Sequence, residues 1–312
     1  MRQFPAAEIE QALDYGALAD ALAAAFASPQ VEAPLRLAYD VGGADAPGHL
    51  LMMPAWRRGA RFGVKLVNVF PQNGRRGLGA VNGVYVLFDG ETGLPEAVMD
   101  SDALTNQRTA AASLLAARHL AREDARTLLV VGTGHLAPHL ARAHATGRRL
   151  AKVMVHGRAP EKARALAARL AAEGLPAAPV EDLAAAVAQA DIVTCATTSR
   201  APLVRGDWVR PGAHVDLVGA FRSDMRESDD ALVARARIFV DTRAGALAEA
   251  GDLLQAKASG AFDEERVEGD LFDLCAGRVT GRAGADEITL FKSVGAALED
   301  LTAAELVLAR VV

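Results

Sequence analysis

The sequence contains little cysteine and no long apolar run. Its two cysteines, Cys195 and Cys275, lie far apart in 312 residues and form no CxxC pair. This excludes a disulfide framework and a cysteine metal site, and it predicts a reducing, cytoplasmic location. The Ala/Leu stretch from Ala17 to Ala27 is too short to cross a bilayer, and the N-terminal MRQFPAAEIE lacks the basic and apolar segments of a secretory signal. We therefore expect no membrane partner.

Clustered positive charge is also missing. The net charge is −5 at pH 7, and the basic residues are scattered rather than interleaved with aromatic side chains, which make up 5% of the chain. These features argue against a nucleic-acid partner. The chain is instead 51% apolar and 23% charged, which is typical of a folded protein, and its length allows two domains.

The first ninety or so residues have the pattern of an α+β domain rich in hairpins. A helix is predicted from Ala12 to Ala27. Short apolar strands separated by Gly and Pro turns follow it, within LRLAYD, HLLMMP, RFGVKLVNVF and NGVYVLFDG.

From about Asp124 to Asp241 strands alternate with helices. The predicted strands are TLLVV, KVMVH, DIVTCA, AHVDLVG and IFVD, and the predicted helices are LAPHLARAHA, PEKARALAARLAAEG and VEDLAAAVAQ. This alternation predicts an α/β fold with a doubly wound parallel sheet of the Rossmann type. Helices are also predicted in TNQRTAAASLLAARHLA and in the C-terminal SVGAALEDLTAAELVLARV. We expect a discontinuous first domain, residues 1–118 and 294–312, into which the Rossmann domain, residues 119–293, is inserted.

The segment LLVVGTGHLA predicts a dinucleotide-binding loop. It contains the pattern G-x-G-x-x-A, which directly follows an apolar strand and opens a helix; its residues are Gly132, Thr133, Gly134, His135, Leu136 and Ala137. The first glycine allows a tight turn, the second admits the pyrophosphate, and the alanine allows close packing of the helix on the strand. Free N–H groups at the helix N-terminus would then bind the phosphates. The alternative is a plain strand-to-helix turn.

The residues after the second Rossmann strand predict which dinucleotide binds. An NAD site has an acidic residue there to bind the ribose 2′-hydroxyl. Here the strand KVMVH is followed by Gly157 and Arg158, with Lys162 one turn further. Because a guanidinium pairs with a 2′-phosphate, we expect a preference for NADP(H), with NAD(H) possible. The alternative is a solvent-exposed arginine.

The histidines next to the loop do not predict a metal site. His135 and His139 have i,i+4 spacing on the predicted helix, which also carries His144. No glutamate lies between the first two as in HExxH, and a helix that binds phosphate is a poor place for a metal. We expect no metal.

Two cations of the first domain are candidates for anion binding. Lys65 lies among valines in GVKLVNVF, and it is either a guard against aggregation on an edge strand or a functional ammonium. Thr105 or Asn106 is a natural N-cap, which would place Arg108 in the first turn of a helix. A cation there opposes the helix dipole unless an anion binds beside it. A solvated arginine is the alternative.

Six stretches, in sequence order, carry a family resemblance: VKLVNVFPQN, VLFDGETGLPEAVMDSDALTNQRTAAASLLAARHL, VVGTGHLAPHLA, ADIVTCATTSRAPLV, HVDLVGAFRSDMRE and FKSVGAALEDL. Through them the chain resembles the ornithine cyclodeaminase/mu-crystallin family over essentially its full length. The resemblance implies a homodimer whose first domain binds substrate and dimerises. It also implies that Arg36, Lys65 and Arg108 hold the substrate carboxylate. The positions that it places near the nicotinamide are Thr197, Thr198, Ser199, Val218, Gly219 and Ser293 to Gly295.

One position departs from the cyclodeaminases of that family. They carry a catalytic aspartate two residues after the glycine that is Gly219 here, whereas this chain has Phe221. A phenyl ring cannot activate an amine or water. Asp224 and Glu227 are nearby but match other family positions, and GAFRSDMRE is similar to the ketimine reductase members, which tend to use NADPH.

The resemblance therefore implies NAD(P)H-dependent reduction of a small cyclic ketimine carboxylate. Δ1-Pyrroline-2-carboxylate or Δ1-piperideine-2-carboxylate would give L-proline or L-pipecolate. Lys65 is a candidate proton donor, because a partly buried lysine can have a lowered pKa. The alternatives are an ornithine cyclodeaminase, an amino-acid dehydrogenase, and a non-catalytic protein that binds NADP and a small molecule.

Overall fold

The chain forms two units in the computed structural model, which describes residues 1–28, 30–43 and 46–311. Unit 1 comprises residues 1–109 and 296–312, and unit 2 comprises residues 110–295. Within the described ranges, no helix has both the length and the apolar character needed to cross a membrane.

In the described part of unit 1, seven strands form one sheet. The strands are β1 (Arg2–Phe4), β2 (Val31–Glu32), β3 (Leu37–Asp40), β4 (His49–Arg57), β5 (Arg61–Val69), β6 (Val81–Asp89) and β7 (Pro95–Asp100). Their order is β1-β7-β6-β5-β4-β2, and β3 also pairs with β4. All pairs are antiparallel except β1 with β7. A 3-10 helix, Pro71–Arg76, connects β5 to β6. The hairpins predicted from the alternating pattern are therefore present.

The helix predicted from Ala12 to Ala27 is present but begins at Tyr15, after a separate short helix that was not predicted. The chain forms α1 (Ala6–Ala12) and then α2 (Tyr15–Ala27). Asp14 separates them because its side chain accepts a hydrogen bond from the Ala17 N–H at 2.9 Å, which caps the second helix. The C-terminal helix, Ala297–Val311, packs against α2 and against strands β4 and β5.

The next helix, α3 (Ser101–Leu120), begins in unit 1 and ends in unit 2. It starts earlier than predicted, because the Asp100 carboxylate at the end of β7 accepts the Ala103 N–H at 2.8 Å. Thr105 and Asn106 therefore lie inside the helix and do not cap it. Arg108 is the eighth residue of α3, so the argument that placed it in the first turn is wrong.

In unit 2, all of which the structure describes, eight parallel strands form a sheet with helices between them. The strands are β8 (Thr127–Val131), β9 (Lys152–His156), β10 (Ala177–Pro179), β11 (Ile192–Cys195), β12 (His214–Leu217), β13 (Arg237–Val240), β14 (Val267–Asp270) and β15 (Thr289–Lys292). The order is β10-β9-β8-β11-β12-β15-β13-β14, and every pair is parallel. This confirms the predicted Rossmann-type sheet, whose order reverses between β8 and β11.

Helices connect most of these strands. They are α4 (Ala137–Gly147), α5 (Pro160–Ala172), α6 (Leu183–Gln189), α7 (Asp230–Arg235), α8 (Arg243–Glu249), α9 (Gly251–Ala258) and α10 (Leu271–Cys275), with 3-10 helices Gly206–Trp208 and Glu264–Arg266; the C-terminal helix of unit 1 is α11. The packing of strand β8 on both faces explains why its sequence is apolar throughout. Leu128 and Val130 belong to one core cluster, and Leu129 and Val131 belong to another. Successive side chains point to opposite faces, and apolar core covers both.

Candidate functional site

Lys65 lies in the middle of unit 1's sheet and is 2% exposed. Its strand β5 pairs with β4 on one side and β6 on the other, so the edge-strand alternative is wrong. The ammonium is 2.8 Å from the Asp300 Oδ2 atom, and it donates a hydrogen bond to Thr105 Oγ1 at 3.3 Å. Lysine is rarely buried without a charged partner, so Lys65 is part of a specific interior ion pair rather than a solvated surface charge.

Arg108 is also buried, and it shares that carboxylate. Its Nε atom donates to Asp300 at 3.0 Å, and one terminal nitrogen donates to Glu299 at 2.6 Å. The solvated-arginine alternative is therefore wrong. Both acids lie in the first turn of α11, where carboxylates also interact favourably with the helix dipole.

The charges in this cluster act on one another. Burial lowers the pKa of Lys65 to about 8, Asp300 opposes that shift, and Arg108 and Arg36 add to it. Arg36, half-buried in the segment before β3, is thus close enough to influence the ammonium. The three cations predicted to bind the carboxylate belong to one electrostatic cluster.

Sequence reasoning missed the two acids of this cluster. Glu299 and Asp300 lie about 190 residues after Arg108 in a stretch with ordinary helical periodicity. A signal was nevertheless present, because the pair interrupts an apolar run in which α11 packs on the sheet. Acidic side chains at such positions require buried cationic partners.

The loop between β8 and α4 has the geometry that a dinucleotide needs. Gly132 has φ +125°, and a Cβ there would lie 2.5 Å from the Ala196 carbonyl oxygen. A Cβ at Gly134 would meet nothing within 4 Å, so the backbone is open to a ligand at that point. Within the described chain, the N–H groups of residues 133–136 donate to no acceptor. They are free to bind a phosphate.

The helix that follows this loop begins at Ala137. Its N-cap, Leu136, provides no side-chain hydrogen bond, and a proline occupies the first turn. Ala137 is fully buried in the core, where a larger side chain would separate helix from strand. His135 lies before α4, so it does not share that helix with His139 and His144 as predicted. Among the residues that the structure describes, no three His, Cys, Asp or Glu side chains are grouped as a metal ion would require.

Arg158 is exposed at the rim of a cleft of about 290 Å³ beside the end of β9. Arg164, which sequence reasoning missed, also lines the cleft, whereas the predicted Lys162 does not. The full lining is His156, Gly157, Arg158, Pro160, Ala163, Arg164, Pro179, Val180 and Glu181. No carboxylate follows His156 directly, and Glu181 is the one acid among these described lining residues. The cleft can therefore hold an anionic group.

The segments predicted near the nicotinamide follow three neighbouring strands. Residues 197–199 come after β11, residues 218–219 after β12, and residues 293–295 after β15. These strands are adjacent and parallel, so the three segments meet at the same edge of the sheet. Phe221 is 39% exposed in the loop after β12.

Buried carboxylates hold these segments in place. Glu227 accepts hydrogen bonds from the N–H groups of Thr197 and Gly219, and Asp241 accepts them from Val294 and Gly295. Sequence reasoning gave neither acid this role. Charge-assisted hydrogen bonds of this kind fix the loops that were predicted to lie near the nicotinamide.

Comparisons with known proteins cover nearly the whole chain. The model of a family described as "Ornithine cyclodeaminase/mu-crystallin family" matches residues 2–312. The Delta(1)-pyrroline-2-carboxylate reductase of Paracoccus denitrificans is 46% identical over 261 residues, 83% of each chain. The structure of the Thermococcus litoralis reductase of that name, in complex with NADH and L-proline, superposes with a TM-score of 0.94 at 32% identity, covering 99% of this chain and 97% of the other. An archaeal alanine dehydrogenase dimer with bound NAD gives a TM-score of 0.91 at 27% identity, covering 99% and 95%.

Asp300 should be the main stabilising partner of the two buried cations. We expect Asp300→Asn to lower the free energy of unfolding by about 3–5 kcal/mol in urea denaturation, because Lys65 and Arg108 remain buried without their shared counter-charge. Glu305→Gln, in the same helix, removes a longer ion pair with Arg57, whose two side chains are 25% and 20% exposed, and should cost much less. Equal losses in the two variants would contradict this interpretation.

Proposed function

Since the chain belongs to the ornithine cyclodeaminase/mu-crystallin family, we propose that it reduces a small cyclic ketimine carboxylate with NAD(P)H. It is an NAD(P)-dependent oxidoreductase. Δ1-Pyrroline-2-carboxylate, which would give L-proline, is the first substrate to test, and Δ1-piperideine-2-carboxylate is the second. The observation that carries the choice of reductase is Phe221, an exposed phenyl ring where the family's cyclodeaminases have a catalytic aspartate.

The cation cluster of unit 1 binds the substrate carboxylate in this proposal. Arg108 presents a planar guanidinium, and Lys65 and Arg36 add positive charge. Guanidinium and ammonium groups are the usual partners of a carboxylate, so the cluster favours an anionic substrate. Held in this way, the ring has a fixed orientation, and orientation is the larger part of what the protein supplies to a hydride transfer.

The remaining groups provide the cofactor and the proton. Bound NAD(P)H supplies the hydride to the imine carbon. The loop at Gly132 and the N-terminus of α4 bind the pyrophosphate, and the segments after β11, β12 and β15 bind the nicotinamide. Lys65 donates the proton to the imine nitrogen. Its pKa of about 8 keeps it protonated at neutral pH and makes it a stronger acid than an ordinary lysine.

The reaction is tested by measuring NADH and NADPH oxidation against a substrate panel between pH 6.5 and 9.5. We expect turnover of a cyclic ketimine carboxylate, with kcat falling as the pH rises through about 8 because Lys65 loses its proton. Ammonia release from ornithine with NAD would identify a cyclodeaminase instead. Ammonia-dependent oxidation with pyruvate would identify an amino-acid dehydrogenase, and binding of NADPH without any turnover would indicate a binding protein.

Arg108 is the residue on which substrate binding depends most. Arg108→Ala should lower kcat/KM for the ketimine, because the bound carboxylate loses its strongest partner. The expected loss of transition-state stabilisation is about 2–5 kcal/mol. Circular dichroism tests whether the variant is folded. If it is not, Arg108→Lys, which keeps the positive charge, is measured in its place. Arg57→Ala, which removes a peripheral ion pair, is the control. A loss of less than about threefold in kcat/KM would contradict the role of Arg108.

The finer choice of cofactor depends on Arg158. We propose a preference for NADPH, because Arg158 and Arg164 line the cleft beside β9, where the 2′-phosphate of NADP would lie. Arg158→Asp should raise the KM for NADPH at least about tenfold and change the KM for NADH much less. Lys162→Asp makes the same change of charge on the exposed first turn of α5 and is the matched control. An unchanged ratio of the two KM values would contradict the preference.

Unit 1 is also the proposed dimerisation unit. The sheet face opposite α11 exposes apolar side chains, among them Leu37, Tyr39, Phe62 and Val84. An apolar face of this kind is typical of a protein interface. Val84→Glu should convert a homodimer to monomers in sedimentation equilibrium, and Leu94→Glu, at an exposed turn, should not. A monomeric wild-type protein would contradict the proposal.

The cytoplasmic location stays a prediction from the cysteine content.

A further inference from the structure

Glu227 is a fully buried acid of unit 2 to which the proposed reaction assigns no role. It follows the loop after β12. Its Oε1 atom accepts hydrogen bonds from the Thr197 N–H at 2.7 Å and the Thr197 hydroxyl at 2.8 Å, and its Oε2 atom accepts the Gly219 N–H at 2.8 Å. One carboxylate therefore joins the residue two positions beyond β11 to the residue two positions beyond β12.

The chemistry of these contacts requires a carboxylate. Three donors converge on it, and an ionised carboxylate is the side chain that offers only acceptors. The space is also tight, because a Cβ at Gly219 would lie 2.2 Å from Glu227 Oε1. A glycine at position 219 and an acid at position 227 are thus parts of a single arrangement.

A buried lysine and a second acid complete the network. Lys292, at the end of β15, donates to the carbonyl oxygens of Leu217 and Gly219 at 3.1 and 3.4 Å, and it lies 3.5 Å from Asp252. The other oxygen of Asp252 accepts the N–H groups of Glu227 and Ser228 at 2.8 Å each. The network thus holds the chain on both sides of the Gly219 loop.

Such a network is more than the sheet itself requires. Strands β11, β12 and β15 are already paired along their length by backbone hydrogen bonds. Burying several ions costs several kcal/mol each before their contacts are counted. What the ions add is order beyond the ends of the strands, where Thr197 and Gly219 lie.

We propose that Glu227 is a positioning residue for the nicotinamide, which holds Thr197 and Gly219 in the arrangement that the bound cofactor requires. The proposal rests on the nicotinamide site assigned under the proposed function. It concerns cofactor binding alone, so it can be tested without a ketimine.

The protonation of Glu227 provides a readout that separates positioning from stability. Burial raises the pKa of Glu227 to about 7, Lys292 from β15 opposes the shift, and Asp252 from α9 adds to it. From β11 the group faces Cys195, whose own thiol pKa is raised by burial. Below pH 7 a proton occupies one of the accepting oxygens, so NADH affinity should fall. The free energy of unfolding should change in the opposite direction to NADH affinity. Because the pKa of Glu227 is raised in the folded state, its protonation stabilises the fold at low pH, and this contribution is lost as the pH rises through 7.

The test compares Glu227→Gln with Ser228→Ala, which removes only a hydroxyl hydrogen bond to Asp252 in the same network. In the absence of cofactor, hydrogen exchange at the Thr197 and Gly219 amides should accelerate at least about tenfold in Glu227→Gln and little in Ser228→Ala. The Kd for NADH, from fluorescence titration between pH 6 and 8.5, should rise at least about tenfold in Glu227→Gln and lose its pH dependence.

Three results would overturn the proposal. The first is a Kd for NADH in Glu227→Gln within about twofold of the wild type. The second is an equal rise in the Kd for NADH in Ser228→Ala, which keeps the Glu227 carboxylate, because the loss would then not depend on that carboxylate. The third applies if Glu227→Gln does not fold, and it is a wild-type affinity for NADH that does not change with pH. A wild-type affinity that falls below pH 7 supports positioning. None of these readouts depends on which substrate is reduced.

Discussion

The pairing of the Asp300 carboxylate with two buried cations is the interaction on which the proposed substrate site of unit 1 depends. Lys65 and Arg108 could not remain buried and charged without it, since an isolated ion in a protein interior is strongly unfavourable. The fold therefore keeps these cations oriented inside the protein. Under the proposed function, the same cations would bind the substrate carboxylate.

Unit 2 has one proposed ligand site without buried charge, at Gly132, and another that depends on buried charge, beyond β11 and β12. Around Gly132 the groups proposed to bind the phosphates are backbone N–H dipoles, exposed by a left-handed glycine and an uncapped helix, so no charge is buried. Beyond β11 and β12, loops without their own regular structure are held by the buried carboxylate of Glu227. In the proposed cofactor site, local backbone geometry is thus sufficient at the phosphate loop, whereas the proposed nicotinamide segments are held by a network that spans several elements.

The contrast also explains what could be predicted from the sequence. The Gly132 loop and the strands of the parallel sheet were predictable because strand, turn and helix follow one another directly, and the hydrophobic pattern reports them. Arg108 was predicted to lie in the first turn of a helix, and this is wrong because the Asp100 side chain caps the helix earlier than Thr105 would. Its role in substrate binding stays a prediction. The partnership of Lys65 with Asp300 joins residues 235 positions apart, and no local pattern reports such a contact. The start of α2 at Asp14 is a different case, because an N-cap aspartate is a local signal that the sequence analysis did not use.

The most direct test of this account is a crystal structure of the protein with NADH and L-proline. We expect the proline carboxylate to accept hydrogen bonds from Arg108 and Lys65, with Asp300 still bound to both, and the pyrophosphate to lie on the N–H groups of residues 133–136. A carboxylate bound elsewhere, with Arg108 and Lys65 still paired only to Glu299 and Asp300, would contradict it. In that case the buried cations would serve the fold alone.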